Sequence, residues 1–177
     1  MATARLLWDQ EYLYFAFEMR DRDVWCSYTQ RDEPLAREDV IELFVKPRPD
    51  SNVYYEFEIN PLGVVFDLCW PKRSSRSDNW AKQWNGNVQL ATRVEGTLED
   101  FTDEDQGWVV EGKIPFSDFR PPLSGPPAEG ERWRGNVCRY NYGVDLTKTE
   151  LATWSPNQDA AHGFHRFEDY GNLIFVR

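Results

Sequence analysis

Apolar and polar residues alternate along most of this chain, and the clearest instance is NVYYEFEINPLGVVFD at residues 52–67. Val53, Tyr55, Phe57 and Ile59 take one phase, and Tyr54, Glu56, Glu58 and Asn60 take the other. Strand side chains change face at every residue, so the pattern predicts a strand with one core face. Its second face carries acids, an amide and an aromatic, and is either solvated surface or a site. The same alternation predicts strands over residues 12–20 (YLYFAFEMR), 40–46 (VIELFVK), 64–70 (VVFDLCW) and 88–94 (VQLATRV). Further strands are predicted over 108–114 (WVVEGKI), 133–140 (WRGNVCRY) and 172–176 (NLIFV). Turn residues separate them at 47–52, at Asn60-Pro61-Leu62-Gly63, at Asn85-Gly86-Asn87 and at Gly125-Pro126-Pro127. Helix signals are nearly absent, with a single turn predicted in residues 114–119 (IPFSDF). The polar, Ser-rich stretch 71–83 reads as a long exposed loop with Trp70, Trp80 and Trp84 in or beside it. Many short strands with Gly, Pro and Asn breaks predict an all-β fold: an antiparallel sandwich or barrel.

A length of 177 residues suits one domain, 1–177, with a core that needs no staples. The aromatic share of 15% exceeds what a helical bundle uses and fits both a strand-rich fold and a sugar-binding surface. A net charge of −10 disfavours nucleic acid and anionic membranes, leaving neutral ligands, cations or basic partners. No run approaches the ~18 apolar residues of a membrane helix, and the N-terminus lacks a signal-peptide pattern. Localisation stays open: extracellular for a piece of a secreted protein, cytoplasmic otherwise. Cys26, Cys69 and Cys138 are odd in number and widely spaced, and read as buried free thiols.

The chemistry concentrates on the acidic phase. Glu42, Glu56, Glu58 and Asp67 fall on three successive strands that hairpins make neighbours. Same-face residues then stand roughly 6.5–7 Å apart along a strand and about 5 Å apart across strands. Like charges that close need basic groups, metals or solvent, and Arg93, Lys113 and Arg139 are the strand residues able to supply counter-charge. Carboxylates and amides pair with vicinal hydroxyls, and an aromatic platform takes a sugar's C–H face, so Glu42, Glu58, Asn60, Asn136 and Trp154 form one candidate site. Glycoside hydrolysis is the alternative, with Glu42 and Glu58 as catalytic carboxylates at ~5–5.5 Å for retention or ~6.5–9.5 Å for inversion. His162 and His165 form an HxxH pair that lacks the third ligand and general base of a zinc protease. The acidic loop 97–107 offers Asp100, Asp103 and Asp105 to calcium, although it lacks the EF-hand glycine and spacing, and a solvated loop is the favoured reading. Phosphate-loop, nucleophile-elbow and CxxC patterns are missing.

ARLLWDQEYLYFAFEMRDRDVW, EDVIELFV, YYEFEINPLGVVFD, GWVVEGKIPFSDF, RWRGNVCRYN, TWSP and FHRFEDYGNLIF follow one another in this order. Together they resemble the carbohydrate-binding family 9-like domains. The resemblance implies a jelly-roll-like, two-sheet antiparallel β-sandwich that recognises saccharide chain ends or small sugars, although distant relatives of the same fold bind haem or carry electrons. It implies a sugar ring clamped between two aromatics, one matching Trp154, with Glu42 and His165 in family positions. The second aromatic falls at Ala36 and a basic partner falls at Glu58, so the clamp is incomplete, with Trp25 or Tyr28 as substitutes. It also implies a strand ahead of ARLLWD; without it an edge stays open to a second copy. The expectation is noncovalent carbohydrate binding: Trp154 stacks, Glu42, Glu58, Asn60 and Asn136 hold hydroxyls, Tyr54 accompanies the acids, and Arg139 and His165 support. No cofactor is expected beyond calcium.

Overall fold

A computed structural model describes residues 1–73, 84–120, 123–143, 147–158 and 160–176, with the backbone alone for 160–162. Trp80, Pro121, Pro122 and the His162 side chain therefore lie outside the described residues. Ten strands are described: β1 (Ala2–Trp8), β2 (Tyr12–Arg20), β3 (Val40–Lys46), β4 (Tyr54–Ile59) and β5 (Val65–Trp70), then β6 (Gln89–Glu95), β7 (Gly107–Pro115), β8 (Arg132–Asn141), β9 (Glu150–Thr153) and β10 (Gly171–Ile174). One sheet runs β1-β2-β7-β6; the other runs β10-β8-β3-β4-β5, with β9 also on β8. All pairs are antiparallel. The architecture is the expected antiparallel β-sandwich. Among the described residues, helical structure is confined to short 3₁₀ turns, including Phe116–Phe119 at the predicted turn. No helix among the described residues is long and apolar enough to cross a membrane.

The inner faces of the two sheets form the core. Leu13, Phe15, Phe17 and Met19 of β2 and Trp108, Val110 and Ile114 of β7 pack on Ile41, Leu43 and Val45 of β3, Tyr55, Phe57 and Ile59 of β4, and Trp133 of β8. Each such side chain contributes about 1.5–3 kcal/mol on burial, which fixes the register of every strand that supplies one.

The structure adds two things to the sequence reading. The four-residue β9 has no alternation of its own and is held by pairing with Cys138–Asn141 of β8. More consequentially, β3 and β4 are buried on both faces. Phe164 and Tyr170, from the C-terminal turns, pack with Phe44, Tyr54, Leu68, Trp70 and Cys138 to form a second apolar cluster over the outer face of the six-stranded sheet. The acidic phase of β4 is therefore not a solvated surface.

Candidate functional site

The register of β3 with β4 sets Glu42 opposite Glu58 and Phe44 opposite Glu56. All three acids thus project from the outer face, under the second cluster. Each offers an oxygen that lies within 4.8 Å of those of the other two, and Glu42, Glu56 and Glu58 are only 2%, 3% and 5% exposed. Burial raises the pKa of Glu42 well above the usual carboxylate range, and the neighbouring Glu56 adds to it. Glu58 is raised likewise, by burial first, then by repulsion from Glu42 and Glu56 and a hydrogen bond to Glu56; the Ala36 N–H opposes this. Ala36, where the resemblance implied an aromatic, supplies this site with a backbone donor instead.

Aromatic side chains wall the acids in. Trp70 donates its Nε1–H to Glu56 Oε2 at 2.6 Å, and its ring stacks on Tyr54 at 5.9 Å. Tyr54 Oη and His165 Nδ1 are 3.0 Å apart, which leaves His165 Nε2 at 4.0 Å from Glu56 Oε1. His165 also packs edge-on against Phe44 and Trp70. The half-buried Phe66, Tyr140 and His165 border this nest. Within it, Oε2 of Glu42 and Oε2 of Glu58 have no hydrogen-bond partner among the described residues.

The remaining sequence candidates stand elsewhere. Asp67 pairs with Phe57 in the β4–β5 register and so faces the inter-sheet core, not the acidic face. There it meets Arg31 at 2.5 Å and the Gly86 N–H at 3.0 Å. Arg139 lies opposite Ile41 on the inner side of β8, with Nη2 at 2.5 Å from Asp21 Oδ2 and Nη1 donating to the Arg20 carbonyl. Arg93 and Lys113 belong to the other sheet, Arg93 paired with Glu95 and Lys113 over the Tyr12 ring. None of the three expected counter-charges reaches the trio.

The two amides are already engaged within the protein. Asn60 donates to the Tyr28 carbonyl and to Glu38 and accepts from the Val64 N–H, closing the turn after β4. Asn136 accepts from the Ser155 and Val137 N–H groups and donates to the Ser155 carbonyl. It thereby fixes the segment that carries Trp154. Trp154 is 54% exposed and follows directly after β9, with its N–H on the Val137 carbonyl. Its indole lies against Gly171, on the inner-face side of the sheet edge. Trp25 stands edge-on to Tyr142 at 6.2 Å, and the Tyr28 N–H bonds Glu38.

In the acidic loop, Asp105 is buried and accepts from the Val24 and Thr97 N–H groups, Asp100 accepts from Thr102, and Asp103 is exposed. These carboxylates do not converge. Among the described residues, Glu42, Glu56 and Glu58 form the one close trio of acid, His or Cys side chains. Glu56 and Trp70 are the site residues that the candidate set lacked, and both were legible by phase: Glu56 alternates with Glu58, and Trp70 with Leu68 and Phe66.

Solved structures share the fold over nearly the whole chain. A Bacteroides uniformis protein whose name proposes carbohydrate binding superposes with a TM-score of 0.72 at 20% identity, covering 98% of this chain and 78% of that one. A carbohydrate-binding module of family 9 from Caldicellulosiruptor kristjanssonii, solved with glucose, gives a TM-score of 0.62 at 16% identity over 99% of this chain and 77% of that one. Its complex with cellotriose gives 0.62 at 15% identity over 99% and 76%. The endo-1,4-β-xylanase A of Thermoanaerobacterium saccharolyticum is 21% identical over 180 residues, a match that takes in 99% of this chain but only 13% of the xylanase. The sequence profile named carbohydrate family 9 binding domain-like matches residues 1–177, and the chain belongs to that family of carbohydrate-binding domains.

Proposed function

We propose that the chain binds the end of a saccharide noncovalently on the outer face of its six-stranded sheet, with Glu42, Glu56 and Glu58 toward the hydroxyls and Tyr54, Trp70, Tyr140 and His165 as the walls. One observation carries this reading: two buried carboxyl oxygens, Oε2 of Glu42 and Oε2 of Glu58, lack partners inside an aromatic nest. A buried polar atom left without a partner costs roughly 1–3 kcal/mol, and a ligand bearing adjacent hydroxyls removes that cost on binding. Sugars present such hydroxyls beside apolar C–H faces, which suits acids flanked by aromatics.

Calorimetric titration with glucose, xylose, cellotriose and xylotriose tests the reading. Saturable binding that is lost in Glu42→Gln and Glu58→Gln, and retained in Trp154→Ala, is the expected result. Loss in Trp154→Ala with retention in both glutamine variants moves the site to the sheet edge. Chromogenic glycosides run alongside check for turnover, and hydrolysis lost in the glutamine variants makes the face catalytic instead.

A further inference from the structure

We propose that Glu42, Glu56 and Glu58 form a binding site for a hard divalent cation, calcium in the first instance, whose open coordination positions take the saccharide's vicinal hydroxyls. The second half of this statement rests on the saccharide reading above; the first half does not.

The case starts from charge. Three carboxyl groups on adjoining strands meet within 4.8 Å, nearly sealed from solvent. Carboxylates removed from water are expensive unless a positive group or a metal meets them. Of the nearby cationic side chains on the outer face, Arg134 binds the Tyr170 carbonyl and Lys46 binds the Arg48 carbonyl. Arg73 pairs with Glu168 at the rim. His165 reaches only Glu56, at 4.0 Å. Among the described residues, the trio thus has no cation of its own.

The geometry then suits an ion. Calcium binds oxygens at about 2.3–2.6 Å, so two ligands on opposite sides of one ion stand up to about 5 Å apart. The mutual limit of 4.8 Å lets all three carboxylates reach one ion without strand movement. Glu56 Oε2 is taken by the Trp70 N–H and one Glu58 oxygen by the Ala36 N–H, so the trio offers about four oxygens and leaves the rest of calcium's six to eight positions to hydroxyls or water. An all-carboxylate donor set favours calcium, magnesium or manganese over softer metals.

The orphaned atoms are a separate indication. Glu42 Oε2 and Glu58 Oε2 have no protein partner, as ligand atoms awaiting an ion would not. Glu56, by contrast, is oriented from outside by the Trp70 indole N–H, and His165 is set beside it by Tyr54. Such outer contacts hold the ligands of metal sites in place.

The experiment uses protein stripped with EDTA and dialysed, titrated at pH 7 with calcium chloride and then with magnesium and manganese chlorides. One ion per chain and a rise in Tm are expected, with at least tenfold weaker binding in Glu42→Gln and in Glu58→Gln. Asp103→Asn, in the exposed acidic loop, should bind as the wild type does. Circular dichroism establishes that each variant is folded. Absence of any ion-dependent heat and Tm shift overturns the site, and so does equal affinity in the two glutamine variants. Cellotriose is then titrated with and without calcium. Sugar affinity that falls at least tenfold in EDTA supports the coupling. Ion binding without sugar binding overturns the saccharide reading and leaves the ion site standing, whereas equal sugar binding in EDTA removes the ion's role in recognition and leaves the saccharide reading intact.

Discussion

The indole of Trp154 lies where a side chain at position 171 would stand: a Cβ on Gly171 would collide with Cζ3 and Cη2 of the ring. Gly171 pairs with Gly135, whose neighbour across the sheet is the core residue Val45, so this contact lies on the inner-face side of the sheet edge. It gives TWSP and YGNLIF, the two segments at the end of the family pattern, a physical link.

Gly171→Ala should therefore displace Trp154 and cost about 1–3 kcal/mol, as overpacking does. Urea denaturation measures it. The double variant Gly171→Ala, Trp154→Ala should recover most of the loss, because the collision is then gone. A double variant as unstable as the sum of the singles would place the strain elsewhere.

Glu42→Gln should raise stability at pH 7 in EDTA by roughly 1–2 kcal/mol while abolishing ligand binding. The substitution removes a buried ionisable group whose charged form burial and Glu56 both disfavour, and puts an amide donor among carboxyl acceptors, a case in which replacement is neutral or stabilising. Urea midpoints in paired samples decide it. A destabilised Glu42→Gln would mean that the trio already satisfies itself.

Stability should fall as pH rises from about 4 to about 8. Asp39 is fully buried between the Trp25 and Tyr142 N–H groups. Those donors favour its charged form, but burial and, next, the Asp21 carboxylate outweigh them and push it up to about 8. The folded protein then holds a proton that the unfolded chain has released above its own pKa near 3.8. Where the native state binds more protons, stability declines with pH, and the decline ends above the native pKa. Tm values at intervals from pH 5 to pH 9 in EDTA should show the fall, and a flat or rising profile would contradict it.

Arg139→Met should destabilise by about 3–5 kcal/mol. Arg139 and Asp21 are both buried, so truncation strands the carboxylate between the two sheets. Burial already raises the pKa of Asp21 against the opposing pull of Arg139. Adding Asp21→Asn should restore part of the loss. Thermal denaturation of the three variants reads the coupling.

The sandwich was legible because each strand that builds it buries alternate large apolar residues, as YLYFAFEMR and VIELFVK do. Glu42 and Glu58 were legible as neighbours because hairpin strands place them side by side. The cover over them was not, since Phe164 and Tyr170 come from more than a hundred residues along the chain. Asn60 and Asn136 have the right chemistry for hydroxyls, but backbone groups with no sequence signature, and for Asn60 also the Glu38 carboxylate, occupy them. The side of Trp154 depends on its fit against Gly171, from a distant segment of the chain. Strand alternation turned Asp67 inward, with Phe57, while its sequence neighbours Phe66 and Leu68 joined the outer face.

The Trp8 indole N–H donates to the Val176 carbonyl at 3.0 Å, and so places the last described residue beside the far end of β1. Met1, at the near end, sits by Arg20 with its carbonyl accepting that residue's N–H. The two ends are thus separated by the length of β1, about 24 Å for seven residues at 3.4 Å each. A pull applied at these two points would run along the strand axes of the sandwich. β1 is then sheared along β2, and β10 along β8, with their ladder bonds sharing the force instead of parting one by one. Resistance to such a pull would come from two whole ladders at once.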